Sequence, residues 1–126
     1  MDYQEVFNKA FIHCKTQGEP AIGNNSCNYY TYNGKRCAIG GIVSVEDAKK
    51  MSLNNIGVTA DVHADILQKN FGDITTDDYI FLIKLQSAHD SAYHESKIIS
   101  NDLTWLEAYE EQMVSIAEQY NLTIPC

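Results

Sequence analysis

The chain has little proline, with two residues among 126, and no apolar run near the roughly 18 residues that a membrane-spanning helix needs. We therefore expect no transmembrane segment. Asp2 and Glu5 stand where a secretory signal would need positive charge, so the sequence predicts a protein of the cytoplasm. With 44% hydrophobic residues and both signs of charge interspersed, the composition is that of one globular domain over residues 1–126.

Basic residues are also scarce. Nine lysines and arginines stand against 17 acidic residues, which gives a formal net charge of −8. Affinity for the phosphate backbone comes largely from lysine and arginine, so this balance argues against duplex nucleic acid as a partner. An acidic surface instead suits solubility, contact with a basic protein surface, or imitation of nucleic acid.

The few cysteines do not have the spacing of a metal site. They are Cys14, Cys27, Cys37 and Cys126. A domain of this size does not need a disulfide framework and a reducing cytoplasm would not keep one, so we expect free thiols. No Cys-x-x-Cys or His-x-x-x-His occurs, so the sequence predicts neither a metal site nor a cofactor.

Most of the chain has the pattern of amphipathic helices. Apolar residues recur at helical spacing in four long segments that are bounded by turn or capping residues. The predicted helices cover residues 2–17, 60–71, 75–94 and 102–120, with a shorter one at 44–51. In the helix at 75–94 the predicted buried stripe consists of Phe81, Leu82, Leu85, Ala88, His89 and Ala92.

The segment after the first helix predicts a β-hairpin. Residues 27–32 are rich in aromatic and β-branched side chains and favour a strand. Asn33-Gly34, the dipeptide that favours a type I′ turn, follows them and connects to a second strand over residues 35–39. That turn would place Tyr30 opposite Cys37. The predicted fold class is therefore α+β, with about four main helices packed on a short antiparallel β-hairpin.

Cys37 carries the strongest signal for a reactive thiol. Lys35 and Arg36 precede it, and nearby positive charge lowers the pKa of a thiol. One hypothesis is a cysteine-dependent hydrolase or transferase in which Cys37 attacks, His89 is the base and Asp90 orients it. In the structural alternative, Cys37 packs as a small hydrophobe, and His89 is a core histidine bonded to a backbone carbonyl and the hairpin.

The hairpin is the candidate surface for a ligand or partner. It combines aromatic rings with positive charge in an otherwise acidic chain, through Tyr29, Tyr30, Tyr32, Lys35 and Arg36. Aromatic faces stack on bases and cations meet phosphate, so a small nucleotide or a short single strand would fit such a surface. Three tyrosines in a strand also serve to pack a sheet against helices.

Several of these residues form a combination of short motifs. Cys27-Asn28-Tyr29 is followed by the run from Gly34 to Gly40 and by Leu85-Gln86-Ser87-Ala88-His89-Asp90. The combination resembles a group of small uncharacterised proteins of phages, prophages and bacteria, with a C-x-Y…G-x-x-C-A-x-G centre and an L-Q-x-x-H-D helix. The resemblance implies a phage or mobile-element setting and no defined activity. Its motif positions are Cys27, Tyr29, Gly34, Cys37, Gly40, His89, Asp90 and Trp105.

For function, the sequence predicts a non-enzymatic binding protein. It would be a phage or mobile-element accessory factor that engages a host protein or sequesters a small nucleotide-like ligand in the host cytoplasm. The grounds are the acidic charge, the lack of a specific catalytic signature and the resemblance. The cysteine-dependent enzyme and an acidic mimic of nucleic acid are the alternatives, and no oligomeric state follows from the sequence.

Overall fold

The computed structural model describes residues 1–23, 26–53, 61–99 and 102–125. Within these residues a 3₁₀ turn, Asp61–His63, precedes α4, and a π-helical turn, Glu95–Ile99, follows α5. The main elements in chain order are α1 (Tyr3–Gln17), β1 (Ile22–Gly23), β2 (Ser26–Cys27), α2 (Ala38–Ile42), α3 (Val45–Leu53), α4 (Ala64–Phe71), α5 (Thr76–His94) and α6 (Trp105–Tyr120).

Helices α1, α5 and α6 form the helical frame of the molecule and pack against one another. Each presents an apolar stripe at intervals of three and four residues, which is the periodicity that predicted these helices. The buried stripe of α5 consists of Phe81, Leu82, Leu85, Ala88, His89 and Ala92. The predicted stripe of this helix, including the burial of His89, is confirmed.

Side-chain caps fix where the frame helices begin. The Asp2 carboxylate accepts a hydrogen bond from the Glu5 N–H at the start of α1. A reciprocal capping box joins Thr75 to Asp78 at the start of α5, and Thr104 and Glu107 form another at the start of α6. Among the described residues, no helix combines the length and apolarity that crossing a membrane would require.

The predicted fold class, with helices packed on a β-hairpin over residues 27–39, is wrong. The chain is mostly helical, and the strands of the described residues are two residues long and lie earlier, with Ile22 opposite Cys27. The second predicted strand, 35–39, instead leads into α2, which begins at Ala38. The predicted start of a helix at residue 60 lies outside the described residues, and α4 itself begins at Ala64.

The turn at Asn33-Gly34 has a different geometry from the predicted type I′. That type needs a positive φ at both residues, whereas of the pair only Gly34 has one, at 85°. Thr31 closes the turn instead: its N–H donates to the Lys35 carbonyl at 2.9 Å, and its hydroxyl accepts from the Lys35 N–H at 3.0 Å. Thr31, which the sequence predicted as a strand residue, therefore stabilises the turn through its hydroxyl.

This turn shifts the pairing by one residue and releases Cys37 from the strand. Tyr30 lies opposite Arg36, where the prediction paired Tyr30 with Cys37. Cys37 becomes the N-cap of α2, and its sulfur accepts a hydrogen bond from the Gly40 N–H at 3.3 Å. The tertiary position of α2 thus overrides the local strand preference.

Glycines 40 and 41 let α2 approach its neighbours closely. A Cβ atom at Gly40 would collide with the main-chain carbonyl of Tyr29, and one at Gly41 would collide with the imidazole of His13 on α1. These two glycines, which directly follow the predicted strand 35–39, therefore form a contact surface of a short helix.

Candidate functional site

The motif residues of α5 converge on the carboxylate of Asp90. One carboxylate oxygen, Oδ1, accepts from Gln86 Nε2 at 2.9 Å and from His89 Nδ1 at 2.8 Å. Burial, the negative charge of Asp90 and a hydrogen bond to it together raise the pKa of the Cys27 thiol to about 12. Gln86 also accepts from the Ile39 N–H at 3.1 Å, which joins α5 to α2. We call these hydrogen-bonded side chains the Asp90 network.

The ring of His89 is held in one tautomer. It is fully buried, and its Nε2 accepts a hydrogen bond from the Ala21 N–H at 3.0 Å. A main-chain N–H can only donate, so Nε2 carries the lone pair and Nδ1 carries the proton that points to Asp90. The structural alternative predicted that the ring of His89 bonds to a backbone carbonyl. Its backbone partner is instead the N–H of Ala21, which donates to the ring.

Cys27, His89 and Asp90 place a thiol sulfur, a ring nitrogen and a carboxylate oxygen within 4.8 Å of one another. This separation alone would suit a metal ion, but the tautomer of His89 does not. A metal on Nδ1 would require the proton to move to Nε2, where it would face the Ala21 N–H. The residues present therefore fit a hydrogen-bonded network better than a metal centre.

Cys37 lies where a nucleophile would be inactive. Its side chain is fully buried, it caps α2, and burial raises the pKa of its thiol well above the usual range. The lone pair that His89 would need as a base is already bonded to Ala21. This geometry gives the hypothesis of Cys37 as nucleophile, His89 as base and Asp90 as orienter no support.

The structure separates the tyrosines of the predicted binding surface. Tyr29 is 4% exposed and lies edge-on to the ring of His63. Tyr30 is half-buried, and Lys49 Nζ lies 5.2 Å from the centre of its ring. Tyr32, in contrast, is 96% exposed. They therefore form no common stacking face. The prediction that they bind a ligand together stays a prediction.

The two basic residues of that surface, Lys35 and Arg36, have different partners. Lys35 forms an ion pair with Glu19. Arg36 is held by its main chain, since its N–H donates to Gln17 Oε1 at 2.9 Å and its carbonyl oxygen is 2.9 Å from both Gln17 Nε2 and His13 Nε2. Only Lys35 of the five predicted residues reaches the cleft described next.

A cleft of about 590 Å³ lies between the turn after α1 and the start of α6. Its volume is within the range of small-molecule sites. Lys35 and Lys97 contribute positive charge to the lining, and Glu19 and Asp102 contribute an equal negative charge. Glu19 is paired with Lys35, whereas Lys97 forms no ion pair with a described carboxylate. The apolar part of the lining comes from Pro20, Ile22, Leu103 and Trp105.

Sequence reasoning missed Lys97 and gave Trp105 only a motif position. Lys97 belongs to the π-helical turn after α5, a rare geometry that occurs frequently at functional sites but has no simple sequence signature. Trp105 was detectable as a motif residue next to a Thr-x-x-Glu capping box, although its place in a cleft depends on residues far away in the chain.

Comparisons with known proteins identify no relative of this chain: no family model matches it, and no curated protein or solved structure is significantly similar. The assignment of a function therefore depends on the geometry of the cleft and of the Asp90 network.

Proposed function

We propose that this chain is a non-enzymatic binding protein that sequesters a small nucleotide-like anion in the cleft beside Trp105. The observation that carries the proposal is the cleft itself, in which an apolar wall adjoins Lys97, a lysine without an ion pair to a described carboxylate, in a protein of net charge −8. A phosphate would meet Lys97 and Lys35, and a planar base would lie against Ile22, Leu103 and Trp105.

The setting proposed from the sequence is unchanged: a phage or mobile-element accessory factor acting in the cytoplasm of a host cell. Of the two proposed partners, a host protein and a small ligand, the cleft favours the ligand. Its volume of about 590 Å³ suits a molecule of nucleotide size, whereas a protein partner needs a broader surface.

The test uses Trp105, the only tryptophan in the chain, as the reporter of the cleft. Tryptophan emission is followed during titration with AMP, with adenosine as the uncharged control and inorganic phosphate as the control without a base. We expect a saturable change with AMP. Adenosine and phosphate should each bind at least about tenfold more weakly, because each uses only half of the cleft.

A matched pair of lysine variants tests where AMP binds. Lys97→Gln should weaken AMP binding about tenfold through the loss of a charge-assisted contact. Lys50→Gln removes an exposed lysine of α3 that does not line the cleft, and it should leave the affinity unchanged. Equal effects of the two variants, or no saturable response to AMP, would contradict the proposal.

A further inference from the structure

Two walls of the cleft are attached to one residue, His89, which does not itself line the cleft. Its ring accepts a hydrogen bond from the Ala21 N–H at 3.0 Å, and the residues on either side, Pro20 and Ile22, line one wall. Its main-chain carbonyl accepts from the indole N–H of Trp105 at 3.1 Å on the other wall. The imidazole and indole rings also meet edge to face, 5.4 Å apart.

The ring has little freedom to move between these walls. It is fully buried, and Asp90 fixes its second nitrogen at 2.8 Å. Asp90 is held in turn by Gln86 at 2.9 Å. A ligand in the cleft therefore meets walls whose separation is determined by a side chain that it does not touch.

We infer that His89 is the positioning residue of the cleft: its ring holds the wall of residues 20–22 at a fixed distance from the Trp105 wall. The consequence for ligand affinity rests on the proposed function. The positioning itself is a property of the protein without ligand and can be measured separately.

Two variants of similar polarity separate the contacts of the ring. In His89→Gln the amide oxygen can reach the position of Nε2 and accept from the Ala21 N–H. In His89→Asn the shorter side chain reaches only the position of Nδ1, near Asp90, and leaves the Ala21 N–H without its acceptor. Both variants lose the aromatic ring, so a purely structural role would affect them alike.

The measurement is amide hydrogen exchange by NMR in the protein without ligand. The exchange rate of Ala21 is divided by that of Leu85, a buried residue in the middle of α5 that reports on opening of the frame. This ratio should rise about tenfold in His89→Asn and stay within about threefold of wild type in His89→Gln. General destabilisation alone would accelerate both amides and leave the ratio unchanged.

AMP titrations of the same variants test the consequence for the ligand. His89→Gln should bind AMP within about threefold of wild type, and His89→Asn about tenfold more weakly. If wild type fails to bind AMP but the exchange ratios behave as expected, the proposed ligand is wrong and the positioning role stands.

Two results would overturn the positioning role. One is an equal exchange ratio in the two variants. The other needs no variant and holds even if both fail to fold: an Ala21 amide that exchanges in wild type as fast as an unstructured amide.

Discussion

The helical frame and the described part of the segment that connects α1 to α3, residues 18–23 and 26–44, both bury apolar side chains in the core, but they differ in their polar contacts. In the frame, ring stacks on ring and apolar side chains interlock, as where Phe81 lies 4.3 Å from Tyr3 in a parallel stack. In the connecting segment, side chains of the frame also accept hydrogen bonds from the main chain. His89 accepts from the Ala21 N–H, and Gln86 accepts from the Ile39 N–H. The comparison teaches that the frame is shaped by its own packing, whereas the path of the segment depends also on polar partners on the frame.

This difference predicts two kinds of response to mutation. Removing a frame side chain creates a cavity in a close-packed core, and its cost scales with the volume lost. Removing a polar side chain that grips the segment leaves one buried donor unsatisfied, and that cost is smaller and local.

The largest effect is expected for Phe81→Ala in the frame. The ring is fully buried between Tyr3 and Tyr120, so its truncation should lower the free energy of unfolding by about 3–5 kcal/mol. Urea denaturation measures the loss. Ile80→Ala, at a neighbouring side chain that is 42% exposed, is the control and should cost much less. A loss below about 1 kcal/mol for Phe81→Ala would mean that the frame is not packed as described.

A smaller effect is expected where the frame grips the segment. Gln86→Leu keeps the side-chain volume but deprives the Ile39 N–H of its acceptor, so unfolding should become easier by about 1–3 kcal/mol. Ser87→Ala, at an exposed position of the same helix, serves as the control. Hydrogen exchange should locate the change in α2. An Ile39 amide that is equally protected in both variants would show that Gln86 does not hold the segment.

Asp47 joins α3 to α4 and should give the fold part of its dependence on acid. A hydrogen bond from Asn70, helped by Ser44 and Lys69 and opposed by burial, lowers the pKa of its carboxyl below the usual 3.8. The folded state then releases the proton more readily than the unfolded state. Its contribution is therefore complete above pH 3.8 and is lost as the pH falls through the folded pKa.

The check is urea denaturation of wild type and Asp47→Asn between about pH 6 and pH 2. The variant should lose about 1 kcal/mol near neutral pH, since the Lys69 partner is mostly exposed, and its stability should fall less steeply in acid. The pKa of Asp78 is also lowered, so the stability of both proteins should still fall somewhat in acid. If stability falls in parallel with pH in wild type and Asp47→Asn, groups other than Asp47 cause the acid dependence.

The smallest effect is expected at the tip of the connecting segment. Tyr32 is 96% exposed, so Tyr32→Ala should change stability by no more than about 0.5 kcal/mol in thermal or urea unfolding. Tyr29→Ala, at a ring that is 4% exposed, should cost several times more. Similar losses of stability in the two variants would contradict the burial of Tyr29 and would support the common tyrosine surface that the sequence predicted.

Periodicity and capping explain why the frame could be predicted. The first helix was expected at residues 2–17 and runs over Tyr3–Gln17, and the helix expected at 75–94 is α5 with Thr75 as its cap. The last helix was expected from residue 102 but begins at Trp105. The Thr104-x-x-Glu107 capping box is visible in the sequence and would have corrected that start.

The candidate site was predictable only in part. Lys35 was chosen for its charge and does line the cleft, and His89 and Asp90 were chosen for their chemistry and do lie together. Their roles did not follow from the sequence, because a histidine acts as base, ligand or structural acceptor according to what faces each ring nitrogen. Here that partner is the Ala21 N–H, 68 residues away along the chain.

What the sequence determined by itself is the set of long amphipathic helices, their caps, the acidic charge and the burial of His89, since all of these depend on spacing within one element. The tertiary structure alone decided that residues 38–42 are helical, that Cys37 is a cap and that Trp105 lines a cleft beside Lys35 and Lys97. The physical reason is that a short segment gains less from its own propensity than from buried contacts and hydrogen bonds to distant residues.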